Sequence, residues 1–305
     1  MARGFDGGPT ARSIPVMRHH VLQDTFPSVA AGLKATVPLN HGGPMPWLGL
    51  GVFQMPDDAS TEKAVRAALD LGYRSIDTAS IYRNERGVGQ ALRASGLRRE
   101  EIFVTTKVWN DDMRRDRVEA AFDESLARLG LDYVDLYLLH WPIAGRMVSS
   151  WRVLEKLQRA GRIRAIGVSN YMIPHLEELL AAAEIAPAVN QIEYHPYLQS
   201  RPLVAFCRAR GIVVEAWSPL MQAGPLLADP ALTAIARRHG RTVAQVVLRW
   251  DLQQGVVTIP KSVRPERIAE NAGVFDFRLS QSEMSAIDAL DRNQRNGSDP
   301  FHFSF

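Results

Sequence analysis

The sequence predicts an α/β protein built as a closed (β/α)8 barrel (TIM barrel), with an N-terminal β-hairpin and extra helices outside the barrel. Three observations predict it. Short β-rich runs alternate with amphipathic helical stretches, and eight such units fit into about 270 residues. The β-rich runs are apolar almost throughout, as parallel strands covered by helices on both faces are. An open dinucleotide-binding sheet would carry G-x-G-x-x-G directly after its first strand. Here the only early glycine cluster, Gly49-Leu50-Gly51, precedes the strand expected to end at Phe53.

Residues 1–35 form an extension of glycine, proline and scattered charge without sustained periodicity, and little fixed structure is expected there. It has no hydrophobic core region of a secretory signal, and Met17 offers a second start. Residues 36–305 are expected to be the barrel domain. TVPLNHGGPMPWLGLG reads as a hairpin turning at Gly42-Gly43. The first barrel strand is read at GVF. The next seven are SIDT, EIFVTTK, VDLYLLH, IRAIGVS, APAVNQIE, IVVEAW and GVVTIP. Between them lie helical stretches such as STEKAVRAALDLG, DRVEAAFDESLARLG and TVAQVVLRWDLQ. In the second, Val118, Phe122, Leu126 and Leu129 share one helical face.

Bulk composition excludes several classes. Of the 305 residues, 46% are hydrophobic and 23% charged, as in an ordinary globular enzyme. The net charge is +3 with a pI of about 9.1, but no lysine/arginine run has the density of a nucleic-acid or membrane patch. No segment is long and apolar enough to span a bilayer. Cys207 is the single cysteine, so no disulfide or cysteine zinc site can form within the chain, and a cytoplasmic location is expected.

Barrel enzymes carry their chemistry at the C-terminal ends of the strands. The second to eighth strands end on Asp77, Lys107, His140, Ser169-Asn170, Gln191, Trp217-Ser218 and Lys261-Ser262. Taken alone, His140 in DLYLLHWP reads equally well as a buried core histidine, and Asp77 as a strand-end cap. Seven polar termini facing one mouth are not a solvated rim.

In order along the chain, GYRSIDTASIYRNE, TTKVWN, LYLLHWP, IGVSN, VNQIEYHP, EAWSPL and IPKSVRPERIAEN resemble the aldo-keto reductase family from Thr36 to Phe277. The pattern is closest to the bacterial 2,5-diketo-D-gluconate reductase branch, through GVFQ, KVWND, PAVNQIE, QVVLRW and FDF. The resemblance implies a catalytic tetrad of Asp77, Tyr82, Lys107 and His140. Tyrosine, with an ordinary pKa near ~10, is a reluctant acid, and a nearby ammonium is expected to lower that pKa. Asp77 would keep Lys107 charged, and a neutral His140 would orient the carbonyl oxygen.

The resemblance further implies NADPH lying across the barrel top. Trp217 would stack on the nicotinamide ring, and Ser169, Asn170 and Gln191 would bind its carboxamide. Ser218 and Leu220 would offer backbone N–H groups to the pyrophosphate. Lys261, Ser262 and Arg267 would grip the 2′-phosphate, with Glu270 and Asn271 at the adenine. Phe53, Trp109 and Trp141 would line the substrate pocket, with the loop after Trp217 and the tail from Phe301 to Phe305. No metal is implied.

Two positions depart from the pattern. Met221 stands where the family often has glycine, and a positive φ there would strain or reshape the loop. Arg83 follows Tyr82 where the branch often has glycine, and its side chain is expected to face solvent. The expected function is NADPH-dependent reduction of aldehydes or ketones, small dicarbonyls or keto-sugar acids, by a monomer acting on free small molecules. Two alternatives stay open: a barrel aldolase with Lys107 as Schiff-base lysine, and an NADPH-binding sensor or structural relative with little turnover.

Overall fold

The structure is a computed structural model that describes residues 29–55 and 59–305. Most of the expected N-terminal extension therefore lies outside the described residues. The described chain begins with a 3-10 turn, Val29–Lys34, and Ala35 behind it is buried.

The hairpin consists of β1 (Thr36–Pro38) and β2 (Pro44–Pro46), antiparallel with Val37 opposite Met45. Gly42 and Gly43 turn it at φ 83° and 93°. It packs against the N-terminal end of the barrel. His41 Nε2 accepts from the Ile166 amide at 3.2 Å, and Asn40 Nδ2 donates to the Pro187 carbonyl at 2.9 Å. A Cβ at Gly42 would lie 2.6 Å from the Arg164 carbonyl oxygen, so this approach needs a bare backbone. Val37, Met45 and Trp47 are buried.

Eight parallel strands follow: β3 (Leu50–Gly51), β4 (Ser75–Asp77), β5 (Phe103–Val108), β6 (Val134–Leu139), β7 (Ile163–Ser169), β8 (Val189–Glu193), β9 (Val213–Trp217) and β10 (Val257–Thr258). They pair in sequence order. The barrel closes between its first and last strands through bridges Leu48↔Thr258 and Gly51↔Lys261 and through the bond from Gly49 N to Thr258 O at 3.0 Å. All residues of β5 and β6 are buried, as strands covered on both sides must be.

Several strand boundaries differ from the sequence reading, and two of them bear on the site. The first barrel strand is Leu50–Gly51, and Phe53 lies in the turn beyond it. The glycine cluster belongs to the strand because a Cβ at Gly51 would stand 2.7 Å from the Ile259 carbonyl at the seam. The sixth barrel strand, read as APAVNQIE, does end at Glu193, which pairs with Trp217, so Gln191 lies two residues inside it and not at its end.

The helices among the described residues are α1 (Ala59–Asp70), α2 (Glu85–Ala94), α3 (Asn110–Arg114), α4 (Val118–Leu129), α5 (Met147–Arg159), α6 (Ile173–Ala182), α7 (Arg201–Arg208), α8 (Pro230–His239), α9 (Val243–Gln253), α10 (Pro265–Ala272) and α11 (Gln281–Asp288). Val118, Phe122, Leu126 and Leu129 are all buried on α4, as their spacing requires. The β9–β10 connection holds two helices. Asp229 caps α8 by accepting from Ala231 and Leu232, and Thr242 caps α9 with Gln245 reaching back. Helix α11 packs on α8 as an addition to the barrel ring. Among the described residues no helix is long and apolar enough to cross a membrane.

Candidate active site

Strands β4, β5 and β6 deliver three ionisable groups to one point at the barrel top. Asp77 ends β4, Lys107 lies one residue before the end of β5, and His140 follows β6 directly. Lys107 is fully buried; its Nζ donates to Asp77 Oδ1 at 2.7 Å and to the Thr78 carbonyl at 2.8 Å. The same Nζ is 5.1 Å from the centroid of the Tyr82 ring. Tyr82 closes a 3-10 turn, Ser80–Tyr82, just past β4. Asn84 fixes that turn to the loop after β3: Nδ2 donates to Val52 O at 2.7 Å and Met55 O at 3.0 Å, and Oδ1 accepts from Thr78 Oγ1 at 2.7 Å. Arg83 between them has φ 58° and an exposed side chain.

Burial pushes the Lys107 pKa down, but the Asp77 carboxylate, the Tyr82 oxygen and the Asp77 hydrogen bond outweigh it, so the lysine stays protonated. Burial raises the Tyr82 pKa, and Lys107 opposes that rise without cancelling it. The sequence reading expected Lys107 to lower this pKa. The net direction is upward, because desolvation and the Asp77 charge together exceed the pull of the ammonium. Burial, then the Lys107 charge, holds the His140 pKa well below its usual value, so its imidazole is neutral at physiological pH. The ring sits edge-on to Tyr82 at 5.8 Å and to Trp109 at 5.1 Å between centroids.

These groups open into a cavity of about 1100 Å³. Asp77, Tyr82 and His140 line it, and Lys107 lies beneath. Every residue expected to hold the cofactor also lines it: Ser169, Asn170, Gln191, Trp217, Ser218, Leu220, Lys261, Ser262, Arg267, Glu270 and Asn271. Their bonding sets what they can offer. Ser169 Oγ donates to Gln191 O at 2.9 Å. Asn170 Nδ2 donates to His140 O at 3.0 Å and Ser169 Oγ at 3.1 Å. Gln191 Nε2 donates to Asp77 Oδ2 at 2.8 Å and Glu215 Oε2 at 2.6 Å. Their donor hydrogens are thus engaged within the protein, and the lone pairs left over suit the N–H₂ end of a carboxamide. Trp217 is pinned by its Nε1–H to Asn170 Oδ1 at 2.8 Å. Ser218 Oγ is buried without a partner, an acceptor and donor left for a bound group. At the far end Lys261 and Arg267 are exposed beside the first turns of α10, an arrangement fitted to a phosphate.

The expected aromatic wall divides. Phe53 is 49% exposed and tilts on Tyr82 at 4.9 Å. Trp109 is stacked by Phe305 at 5.6 Å, and Trp141 is buried against Phe303 and Phe305. Of the tail, Phe305 lines the cavity with Gly297 and Ser298. Phe301 does not: it is 51% exposed and packs on His175. The tail is tied at two points. Glu193 accepts from the Asn296 and Gly297 amides, and Arg114 donates to the Phe305 carbonyl at 2.7 Å. Gly297 lies against the Trp217 ring with no room for a Cβ. The loop after β9 adopts the positive φ that Met221 raised as a question: Ser218, Met221, Gln222 and Ala223 have φ 52°, 47°, 55° and 61°.

Sequence reasoning missed four participants. Arg264 adds a third cation to Lys261 and Arg267 along the cavity, and Thr242 at the start of α9 lines the cavity while donating to Glu270 Oε1 at 2.8 Å. The spacing of Arg264 from Ser262 in KSVR was the available signal. Glu193 closes β8 and Glu215 lies inside β9; both carboxyls are buried, and nothing in the sequence marks which face they take without the sheet register. Among the described residues there is no cluster of side chains able to hold a metal ion.

A profile described as the Aldo/keto reductase family matches residues 47–292. A glyoxal reductase of Bacillus subtilis (strain 168) is 55% identical over 273 residues, 90% of this chain and 99% of its own. The methylglyoxal reductase DkgA of Yersinia pestis is 49% identical over 271 residues, 88% of this chain and 97% of its own. Among solved structures, a Gox0644 mutant in complex with NADPH superposes with a TM-score of 0.83 at 44% identity, covering 88% of this chain and 98% of that one.

Proposed function

The chain belongs to the aldo/keto reductase family, and from that premise we propose that Asp77, Tyr82, Lys107 and His140 reduce a carbonyl group at the mouth of the barrel. The protein is an NADP-dependent oxidoreductase that reduces aldehydes or ketones to alcohols with NADPH. The observation that carries the residue assignment is the buried Lys107–Asp77 pair, at 2.7 Å, set beneath Tyr82.

When bound, NADPH supplies the hydride, two electrons and one hydrogen, to the carbonyl carbon. The protein handles the oxygen. Tyr82 donates its hydroxyl proton to the carbonyl oxygen, and the charge left on the phenolate faces the Lys107 ammonium. Asp77 keeps that ammonium charged in a buried site where it would otherwise lose its proton. The neutral His140 ring offers one N–H to the same carbonyl oxygen and holds it toward Tyr82. Ser169, Asn170, Gln191 and Trp217 hold the nicotinamide end, Ser218 and Leu220 the pyrophosphate, and Lys261, Ser262, Arg264 and Arg267 the 2′-phosphate. Glu270 and Asn271 border the adenine.

The substrate end is lined by Phe53, Trp109, Trp141 and Phe305, and no cationic side chain lines it among the described residues. That favours small uncharged carbonyls, dicarbonyls included, over keto acids, whose carboxylate would be desolvated without a partner. A sensor with little turnover has no need of an acid poised over a charged lysine. We place the protein in the cytoplasm as a monomer; light scattering at one chain mass checks the second point.

The test is NADPH oxidation by Tyr82→Phe and wild type against methylglyoxal and a keto acid, with NADH in parallel. A loss of about 10²–10⁴ in kcat with NADPH affinity kept is expected for the variant. Undiminished hydride transfer in Tyr82→Phe would remove Tyr82 as the acid, and a keto acid outpacing methylglyoxal would remove the uncharged-substrate reading.

A further inference from the structure

Beneath the cavity floor lies a second buried carboxyl that the reduction as written does not use. Glu215 on β9 is fully buried, in register with Gln191 on β8 and Val257 on β10. Its Oε2 accepts from Gln191 Nε2 at 2.6 Å, and its Oε1 is buried with no partner. The other hydrogen of the same Nε2 goes to Asp77 Oδ2 at 2.8 Å. One amide nitrogen therefore bridges two carboxyl groups, which fixes the flip of the Gln191 amide: nitrogen inward, oxygen toward the cavity it lines.

We propose that Glu215 is a positioning residue for the reduction, holding the Gln191 amide in the one orientation that presents its oxygen to the nicotinamide end of the cavity and sharing a buried cluster with Asp77 and Lys107. The inference rests on the cofactor role proposed for Gln191.

The charge of the cluster gives Glu215 a second effect. The ionisable groups around it are Asp77 on β4, Lys107 on β5 and Tyr82 in the turn after β4. One ammonium compensates one carboxylate, so a second negative charge has no buried partner. Burial, then the Asp77 charge, raises the Glu215 pKa to about 8, with the Gln191 bond and Lys107 opposing. Glu215 is thus protonated through neutral pH and ionises above it. Its ionised form raises the Tyr82 pKa, making the proton harder to give to a carbonyl.

Glu215→Gln removes the ionisation and keeps an oxygen that can accept from Gln191. The measurement is single-turnover hydride transfer to methylglyoxal at saturating NADPH from pH 6 to 10. The wild-type rate is expected to fall as pH rises through about 8, and the ratio of the pH 6.5 rate to the pH 9 rate to shrink by roughly fivefold in the variant. Superimposable profiles would overturn the charge effect. Glu215→Leu puts an apolar side chain in place of the carboxyl and frees one Gln191 hydrogen; its NADPH Kd is expected to rise roughly fivefold or more. Gln191→Ala separates the two readings. If it weakens NADPH and Glu215→Leu does not, the positioning role is wrong. If Gln191→Ala leaves NADPH binding intact, the cofactor role of Gln191 is wrong and the role of Glu215 through it falls as well, while the pH comparison still reads its charge.

Discussion

The floor of the cavity and its rim are built differently. On the floor, Asp77, Lys107, Ser169, Asn170 and Gln191 are each no more than 3% exposed. They are joined to one another, to backbone carbonyls or to Glu215 by bonds of 2.6–3.1 Å. All but Asn170 stand on strands, and Asn170 follows one directly. At the rim, the loop after β9 runs through four non-glycine residues at positive φ, and Phe53 and Phe305 are 49% and 41% exposed. The floor is over-determined, since moving one group breaks the bonds of two others. The rim is held at a few points and carries local strain, of order 1–3 kcal/mol for each such residue. On the proposed assignment, the Lys107–Asp77 pair that supports proton transfer from Tyr82 needs sub-ångström placement and sits on the floor, while the choice of substrate tolerates movement and sits on the rim.

That contrast can be broken or sharpened by substitution. The largest effect is expected at the floor. Lys107→Met strands Asp77 as an uncompensated buried charge, and should lower unfolding free energy by about 3–5 kcal/mol together with the rate. A urea midpoint equal to wild type would show that the floor is not over-determined. An intermediate effect is expected where rim and floor meet. Gly297→Ala forces a Cβ into the Trp217 ring and should pull the tail from Glu193; overpacking of about 1–3 kcal/mol corresponds to roughly 5–150-fold in KM for the carbonyl or Kd for NADPH. Unchanged constants would mean that the tail moves freely past Trp217. The smallest effect belongs to the rim alone. Gln222→Gly relieves a left-handed residue on an exposed side chain and should stabilise by about 0.5–1 kcal/mol, read as a small rise in Tm. Destabilisation there would mean that the loop is not strained.

The same contrast explains what the sequence could reveal. Apolar runs such as LYLL report a strand covered on both sides, and polar residues closing those runs report the mouth of a barrel, so the alternation and the placing of Asp77, Lys107 and His140 were legible. The start of the barrel was not: Leu50–Gly51 is a strand because Gly51 meets the Ile259 carbonyl across the seam, a contact from far along the chain. Glu193 and Glu215 were invisible for a related reason. In a strand with both faces buried, neither neighbouring residues nor periodicity says that a carboxyl points inward to a bonding partner. The net pKa of Tyr82 was also out of reach, because it is a balance between a visible cation and a depth of burial that only the folded chain defines. Phe301 belonged to the pocket that the resemblance implied, yet the tail turns it onto His175.

The seam of the barrel has a thermodynamic consequence. Its two strands are two residues each, far shorter than β5 or β6, and the joint is made of isolated bridges. Three backbone hydrogen bonds span it: Gly49 N to Thr258 O, Thr258 N to Trp47 O and Gly51 N to Pro260 O. One of those bridges ends on Lys261, beside the proposed phosphate grip. A ligand held there binds only the closed cylinder and so stabilises it by mass action, about 2.7 kcal/mol at a hundredfold excess over Kd. On the proposed assignment, NADPH would act as a latch on the fold as well as a reagent. Limited proteolysis near the β3–β10 joint should slow when NADPH is present, in proportion to its occupancy.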